Sequence, residues 1–186
     1  MKKIAIIYHS GFGHTQYFAN QVKTGVSKVA DVECDMLNVD EATKKLDQLF
    51  DYAGFIFGSP TYMGGVSGPF KSFMDATVGL WQKQAWKDKF AGGFTVSGSP
   101  SGDKLNSLIS MVVFSAQHGM LWVGNSVFPE TYLGVKPDEA ANRLGSFVGA
   151  MAQAGQVSPE VAFVPGDIKT AHLFGERFAR VVAGKF

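Results

Sequence analysis

The chain has 186 residues, 46% hydrophobic and 18% charged, which suits one globular domain, 1–186, with a core of its own. A net charge of +1 offers no basic surface for nucleic acid and no acidic tail. The single cysteine, Cys34, excludes a disulfide within the chain, and no apolar run is long enough for a signal peptide's core or a bilayer span, so a cytoplasmic protein with neither nucleic-acid nor membrane partners is expected.

Ile4 to Tyr8 reads as a buried strand: short, continuous and mostly β-branched. Gly13 to Val29 predicts a helix, with Phe18, Val22 and Val26 on one face. Val32 to Leu37 is a second strand, alternating through Val32, Cys34 and Met36; Glu41 to Phe50 is a helix and Ala53 to Phe57 a third strand. The turn-rich run GSPTYMGGVSGP leads into a helix at Phe70 to Leu80. A fourth strand spans Phe90 to Val96, then come SGSPSGDK, a helix over Leu105 to His118, and a fifth strand over Met120 to Val123. Asn125 to Asp167 breaks the rhythm. At roughly 40 residues it is long for a structureless loop, and it is expected to pass over the strand ends with a short helix near Pro137 to Leu144. Ile168 to Val182 closes the chain as a helix. Five alternations of strand and helix predict a five-stranded parallel sheet with helices on both faces, an α/β three-layer sandwich.

Ligands of such a sheet bind beyond the carboxyl ends of the strands, where strand order reverses. Three loops therefore matter. In the first, Ser10-Gly-Phe-Gly-His-Thr15, two hydroxyls and two glycines precede a helix whose first amides are unpaired. It reads either as a helix cap after a tight turn or as a phosphate cradle. A Walker loop is excluded by the missing lysine, and Gln16 stands where the dinucleotide fingerprint needs a third small residue, so a mononucleotide phosphate is favoured. The second loop, Ser59 to Gly65, carries Tyr62 and Met63 on a flexible backbone and suits either a flat aromatic ligand or packing on neighbouring helices. The third, Ser97 to Gly102, offers small groups and amides, or a simple helix entry capped by Ser101 or Asp103. Their joint placement, after strands one, three and four, favours a ligand with a phosphate and a planar ring. No metal site is expected.

These segments resemble the flavodoxin-like superfamily and, within it, the WrbA-type NAD(P)H:quinone oxidoreductases. YHSGFGHT is similar to that family's phosphate loop, GSPTYMGGVSGPFKSFMDATVGLW to its ring-binding loop and following helix, and FTVSGSPSGD with SAQHGMLWVG to the next loop and strand. The likeness runs from Ile4 to Gly124. It implies FMN, with Ser10, Phe12, Gly13, His14 and Thr15 around the phosphate, Phe12 through its amide. Pro60, Thr61, Tyr62, Met63, Gly64 and Gly65 would line one side of the ring, and Ser97, Gly98, Ser99, Ser101 and Gly102 the other. It also implies NADH or NADPH as donor, a quinone as small-molecule acceptor, and a tetramer. His118 would face the open side of the flavin, and Trp81 would edge that pocket near a neighbouring subunit. Two segments depart: the family's Arg-Phe-Gly-Asn is Tyr62-Met63-Gly64-Gly65 here, and its Gly-Thr-Pro-Tyr-Gly-Ala finds only GSFVGA, Gly145 to Ala150.

On this reading the flavin takes a hydride from the nicotinamide and passes both electrons to the quinone, by ping-pong kinetics. His118 either hydrogen-bonds or protonates a quinone oxygen, with a pKa near neutrality, or simply ends its helix before Gly119. Trp81 is either core or pocket edge. GLWQKQAW and the Phe-rich segments leave apolar surface that suggests a homo-oligomer, a dimer or tetramer. The rival class is a flavodoxin electron carrier without turnover of its own. Carriers of that kind are usually strongly acidic, and the charge of +1 weighs against it.

Overall fold

A continuous apolar run in a strand is the mark of burial on both faces, and β1 (Lys2–Tyr8) shows it from Ile4 onward. The computed structural model describes residues 1–185; Phe186, the last residue of the expected 1–186 domain, lies outside the described residues. In chain order β1 is followed by α1 (His14–Val26), β2 (Val32–Asn38), α2 (Val39–Lys44), β3 (Gly54–Tyr62), β4 (Gly65–Val66), α3 (Gly68–Ala76) and α4 (Val78–Gln82). Then come β5 (Phe90–Ser97), α5 (Lys104–Gln117), β6 (Leu121–Trp122), β7 (Ala150–Gln153) and α6 (Pro165–Ala183). The parallel sheet runs β2-β1-β3-β5-β6, with β7 also parallel to β5 and β4 folded back antiparallel on β3.

The side chains of β1 alternate between two cores. Ile4, Ile6 and Tyr8 join Phe18, Val22, Phe174 and Phe178 of α1 and α6. Ala5 and Ile7 join Phe70, Phe73, Leu108, Met111 and Phe114 of α3 and α5. Helix layers on both faces of the sheet make the expected three-layer flavodoxin-like sandwich.

The fifth strand differs from expectation. β6 pairs only Leu121 and Trp122 with Phe90 and Ala91, and β7 pairs Ala150 to Gln153 with Phe94 to Ser97. Two segments thus share one strand position, because the far half of β5 still needs partners for its amides and carbonyls. The expected excursion over 125–167 therefore contains a sheet strand, and 125–149 is an insertion within it.

Other boundaries move for local reasons. The helix expected over 41–50 begins at Val39, since Asn38 and Glu41 cap each other's backbone amides at 2.9 and 3.2 Å, and ends at Lys44 before a 3₁₀ turn, Leu46–Asp51. The helix expected over 70–80 starts at Gly68 and divides at Thr77. The short helix expected near 137–144 is replaced by turns. There the amides of Ala141 and Asn142 go to Glu130 Oε2 and Thr170 Oγ1, both at 2.7 Å, and Asn142 is left-handed, φ 47°. The last helix starts three residues early, at Pro165, a residue suited to a first turn.

Helices α1 and α6 cross at backbone contact. A Cβ on Gly25 would lie 2.0 Å from the His172 carbonyl oxygen, and one on Gly175 would lie 2.1 Å from that of Val22. Both positions demand glycine for space. Gly175→Ala should lower stability by about 3 kcal/mol through overpacking, whereas Gly79→Ala, open to free space in α4, should be neutral or slightly stabilising. Urea unfolding of the two variants checks this.

Candidate functional site

Parallel pairing brings β1, β3 and β5 to a common edge: Tyr8 pairs with Gly58, and Pro60 with Val96. The chain leaves β1 for β2 on one side and β3 lies on the other, so this edge is the switch point of the sheet. A cleft of about 540 Å³ opens there. Ser10, Phe12, His14 and Thr15 line it from the first loop, Pro60 and Tyr62 from β3, and Val96, Ser97 and Gly98 from the end of β5. Ala154, Gly155 and Gln156 close it from the segment after β7. No Asp or Glu is among these residues.

In the first loop, Gly13 occupies the N-cap of α1 at φ 87°, with no side-chain cap and no acid in the first turn. The helix therefore presents its positive end to the cleft. Ser10 Oγ accepts from the Gln16 amide at 3.2 Å, which leaves its hydroxyl proton free for another acceptor. The His14 ring donates through Nε2 to the Val157 carbonyl at 2.8 Å, tying this loop to the segment after β7.

The second loop is shorter than expected, because β3 runs on to Tyr62. Its polar residues are buried by pairing with one another. Thr61 Oγ1 lies 2.8 Å from both Thr95 Oγ1 and Ser107 Oγ, and Ser59 Oγ takes the Ser67 amide at 3.0 Å. Met63 and Gly64, at φ 47° and 79°, form a two-residue hairpin turn, and Asn106 donates to the Gly64 carbonyl at 2.7 Å. Thr61, Met63, Gly64 and Gly65 thus do not line the cleft, and Met63 is fully exposed. Tyr62 leans across the first loop: a Cβ on Gly11 would lie 2.7 Å from its hydroxyl.

The third loop is held from below. Lys104 donates to Ser97 Oγ at 2.9 Å and to the Ser99 carbonyl at 2.6 Å, and Gln153 Nε2 donates to the Gly98 carbonyl at 3.2 Å. Gln153 is fixed in turn by Asp167, whose Oδ2 accepts its amide at 2.9 Å while the same carboxylate takes Arg143 bidentately at 2.8 and 3.0 Å. Ser99, Ser101 and Gly102 lie beyond the cleft wall.

His118 and Trp81 lie elsewhere. They line a groove of about 520 Å³ with Thr77, Val78, Ile109 and Val113, between α3, α4 and α5. The 14 residues of α5, roughly 21 Å of helix, separate Lys104 beside the cleft from His118. One chain therefore does not bring either residue to the cleft. His118 is buried, with Trp86 and Phe114 rings 4.7 and 4.8 Å away. The Thr77 hydroxyl donates to the Met74 carbonyl at 2.7 Å, so it accepts from His118 Nε2–H at 2.9 Å, and Nδ1 is left without a partner. Burial pushes the ring down to about 4, so it is neutral at pH 7 rather than titrating near neutrality.

Residues absent from the sequence reading are Val96, the 154–156 segment, Arg143, Gln153, Asp167 and Lys104. Only Lys104 carried a signal. A lysine at the first helical position opposes the helix dipole and so calls for another reason to be there.

Residues 13–132 match the family model of the NADPH-dependent FMN reductases. The chain is 39% identical over 183 residues to Flavodoxin FldP of Pseudomonas aeruginosa (strain UCBPP-PA14), 97% of each chain. It is 32% identical over 139 residues to Quinone-oxidoreductase QR2 of Triphysaria versicolor, 65% of this chain and 68% of that one. The crystal structure of a flavodoxin, WrbA-like protein from Agrobacterium tumefaciens covers all of both chains with a TM-score of 0.75 at 34% identity. The chain belongs to the NADPH-dependent FMN reductase family, on the WrbA-type branch of the flavodoxin-like superfamily.

Proposed function

We propose that this protein uses FMN to pass electrons from NADH or NADPH to a quinone-like small molecule. The observation that carries the proposal is the cleft itself: an uncapped helix N-terminus and two neutral loops meet around about 540 Å³ without a carboxylate. That donor set fits a phosphate dianion joined to a flat ring. Ser10, Gly13, His14, Thr15 and the Phe12 amide would hold the phosphate. Tyr62 and Pro60 on one side, and Ser97 and Gly98 on the other, would hold the ring, with the more remote Thr61, Met63, Gly64, Gly65, Ser99, Ser101 and Gly102 shaping those two loops. FMN, when bound, supplies the two-electron chemistry. The chain's part is to orient the ring and to keep the phosphate at the α1 N-terminus.

Trp81 and His118 belong to this proposal as residues offered to a neighbouring copy's cleft in a dimer or tetramer. The apolar side chains exposed along their groove, Val78, Trp81, Ile109 and Val113, support association. His118 would act there as a neutral hydrogen-bonding ring and not as an acid. No helix among the described residues is long and apolar enough to cross a membrane. Burial holds the Cys34 thiol up at about 12, which suits the cytoplasm proposed for this chain.

The second reading is a flavodoxin-type carrier, favoured by the identity to FldP. An anaerobic experiment separates the two. FMN-loaded protein should lose its yellow absorbance on addition of NADPH or NADH and regain it with a benzoquinone. A yellow protein that neither nucleotide bleaches is a carrier.

Two further outcomes are expected. Ser10→Ala with Thr15→Ala should weaken FMN binding by about tenfold to a hundredfold, as loss of hydrogen bonds to a charged group does, while riboflavin binding stays unchanged; flavin fluorescence quenching reads both. The depressed His118 makes unfolding take up a proton below the unfolded pKa of 6.5. Its contribution is present above that pH and is lost as the pH falls toward 4, about 2 kcal/mol of it between pH 7 and pH 5. Urea unfolding of the wild type and His118→Gln at both pH values measures the difference.

A further inference from the structure

Lys104 is only 1% exposed. Its ammonium is held by two neutral oxygens, Ser97 Oγ and the Ser99 carbonyl, and among the described residues it forms no ion pair. The charged groups that face it are Asp167 of α6 and Arg143 of the insertion. Those two are matched to each other by their bidentate pair. The buried cluster therefore holds two cations and one carboxylate, and one positive charge has no counterpart. That charge sits directly beneath Ser97 and Gly98, which line the cleft. Burial pushes the amine down to about 8, so it is still mainly protonated at pH 7.

This placement is unfavourable in three respects: the side chain is desolvated, its partners are neutral, and it stands at the positive end of α5. A negative charge in the cleft would relieve all three. The ring is better placed for this than the phosphate, because the phosphate's loop, Ser10 to Thr15, follows β1 and β3 lies between β1 and β5 in the sheet.

We propose that Lys104 sets the redox preference of the cleft, its charge beneath Ser97–Ser99 favouring the reduced, anionic form of the bound ring over the oxidised, neutral one. The inference rests on the FMN reading above. Reduction adds two electrons and one proton to the ring and leaves it with one extra negative charge. The electrons come from the reduced nicotinamide in the proposed reaction and from dithionite in the test. Lys104 acts across the loop without leaving its two oxygens.

The test is an anaerobic dithionite titration of the FMN-loaded wild type, Lys104→Met and Lys104→Gln against a reference dye, from pH 7 to pH 10. At pH 7 both variants should hold reduced FMN about tenfold less tightly, relative to oxidised FMN, than the wild type does, a midpoint lower by about 30 mV. The wild type alone gives a second readout. Above pH 8 its amine is deprotonated beside the oxidised ring and takes up a proton when the ring is reduced. Its midpoint should then fall more steeply than the one-proton value of about 30 mV per pH unit, by about 45 mV per unit between about pH 8 and pH 9, and return to about 30 above that. This readout stands even where a variant fails to fold. Variant midpoints equal to the wild type's, or a one-proton slope throughout, overturn the role of Lys104 and leave the FMN reading intact. A wild-type chain that binds no FMN overturns both.

Discussion

Parallel pairing of strands buried on both faces is the constraint from which the site follows. A parallel strand must be reached by a crossover, so each strand of the sheet ends in a loop at the same edge. Because Tyr8, Gly58 and Phe94 stand side by side across the three strands, the loops after β1, β3 and β5 have to meet. None of the three binds anything by composition alone. The sheet turns a capping turn, a hairpin and a serine-rich helix entry into three walls of one cleft.

The fourth wall depends on the divided fifth strand. β7 returns the chain to β5 beside Phe94–Ser97, and its continuation, 154–156, closes the cleft. The Arg143–Asp167–Gln153 network locks this return in place, with Gln153 reaching the Gly98 carbonyl. A buried ion pair of this kind adds little stability over an apolar replacement, but breaking it leaves a bare charge, so the arrangement fixes one register. The insertion over 125–149 thus serves the cleft at a distance.

What was legible in the sequence follows the same division. Strands β1 and β5 and the three-layer order were readable because continuous apolar runs and helical periodicity report burial directly. The polar end of β3 was not, since Ser59 and Thr61 look like loop residues until Thr95, Ser107 and Ser67 supply their hydrogen bonds. β7, AMAQ, has no β-branched residue and is a strand only because β5 leaves an edge to fill. The turns over 137–144 escaped because their amides go to Glu130 and Thr170, far away in the sequence. Eight of the expected cofactor residues line the cleft, and those that do not are Gly13 at the N-cap of α1 and the ones drawn into the hairpin or lying beyond Gly98. The remoteness of His118 from the cleft is a matter of helix length, which a motif does not express.

Helix α5 joins the two halves of the problem. It carries a buried lysine at its first residue and a buried histidine at its C-cap, and both are pushed down chiefly by desolvation. The dipole acts oppositely at the two ends. It opposes the lysine's charge and favours a histidine's, by up to about 2 kcal/mol when partly buried. At His118 the fall from 6.5 to about 4 corresponds to roughly 3 kcal/mol against the charged ring. Desolvation therefore outweighs the dipole, and the ring is neutral. At Lys104 both effects act in the same direction, yet the amine stays mainly protonated at pH 7 because its ordinary value begins so much higher. The helix consequently holds one fixed charge, at the cleft end, and an uncharged hydrogen-bonding group at the other. On the reading proposed above, that cation stands where negative charge would build on the reduced ring, and the groove that would face a neighbouring copy is left neutral.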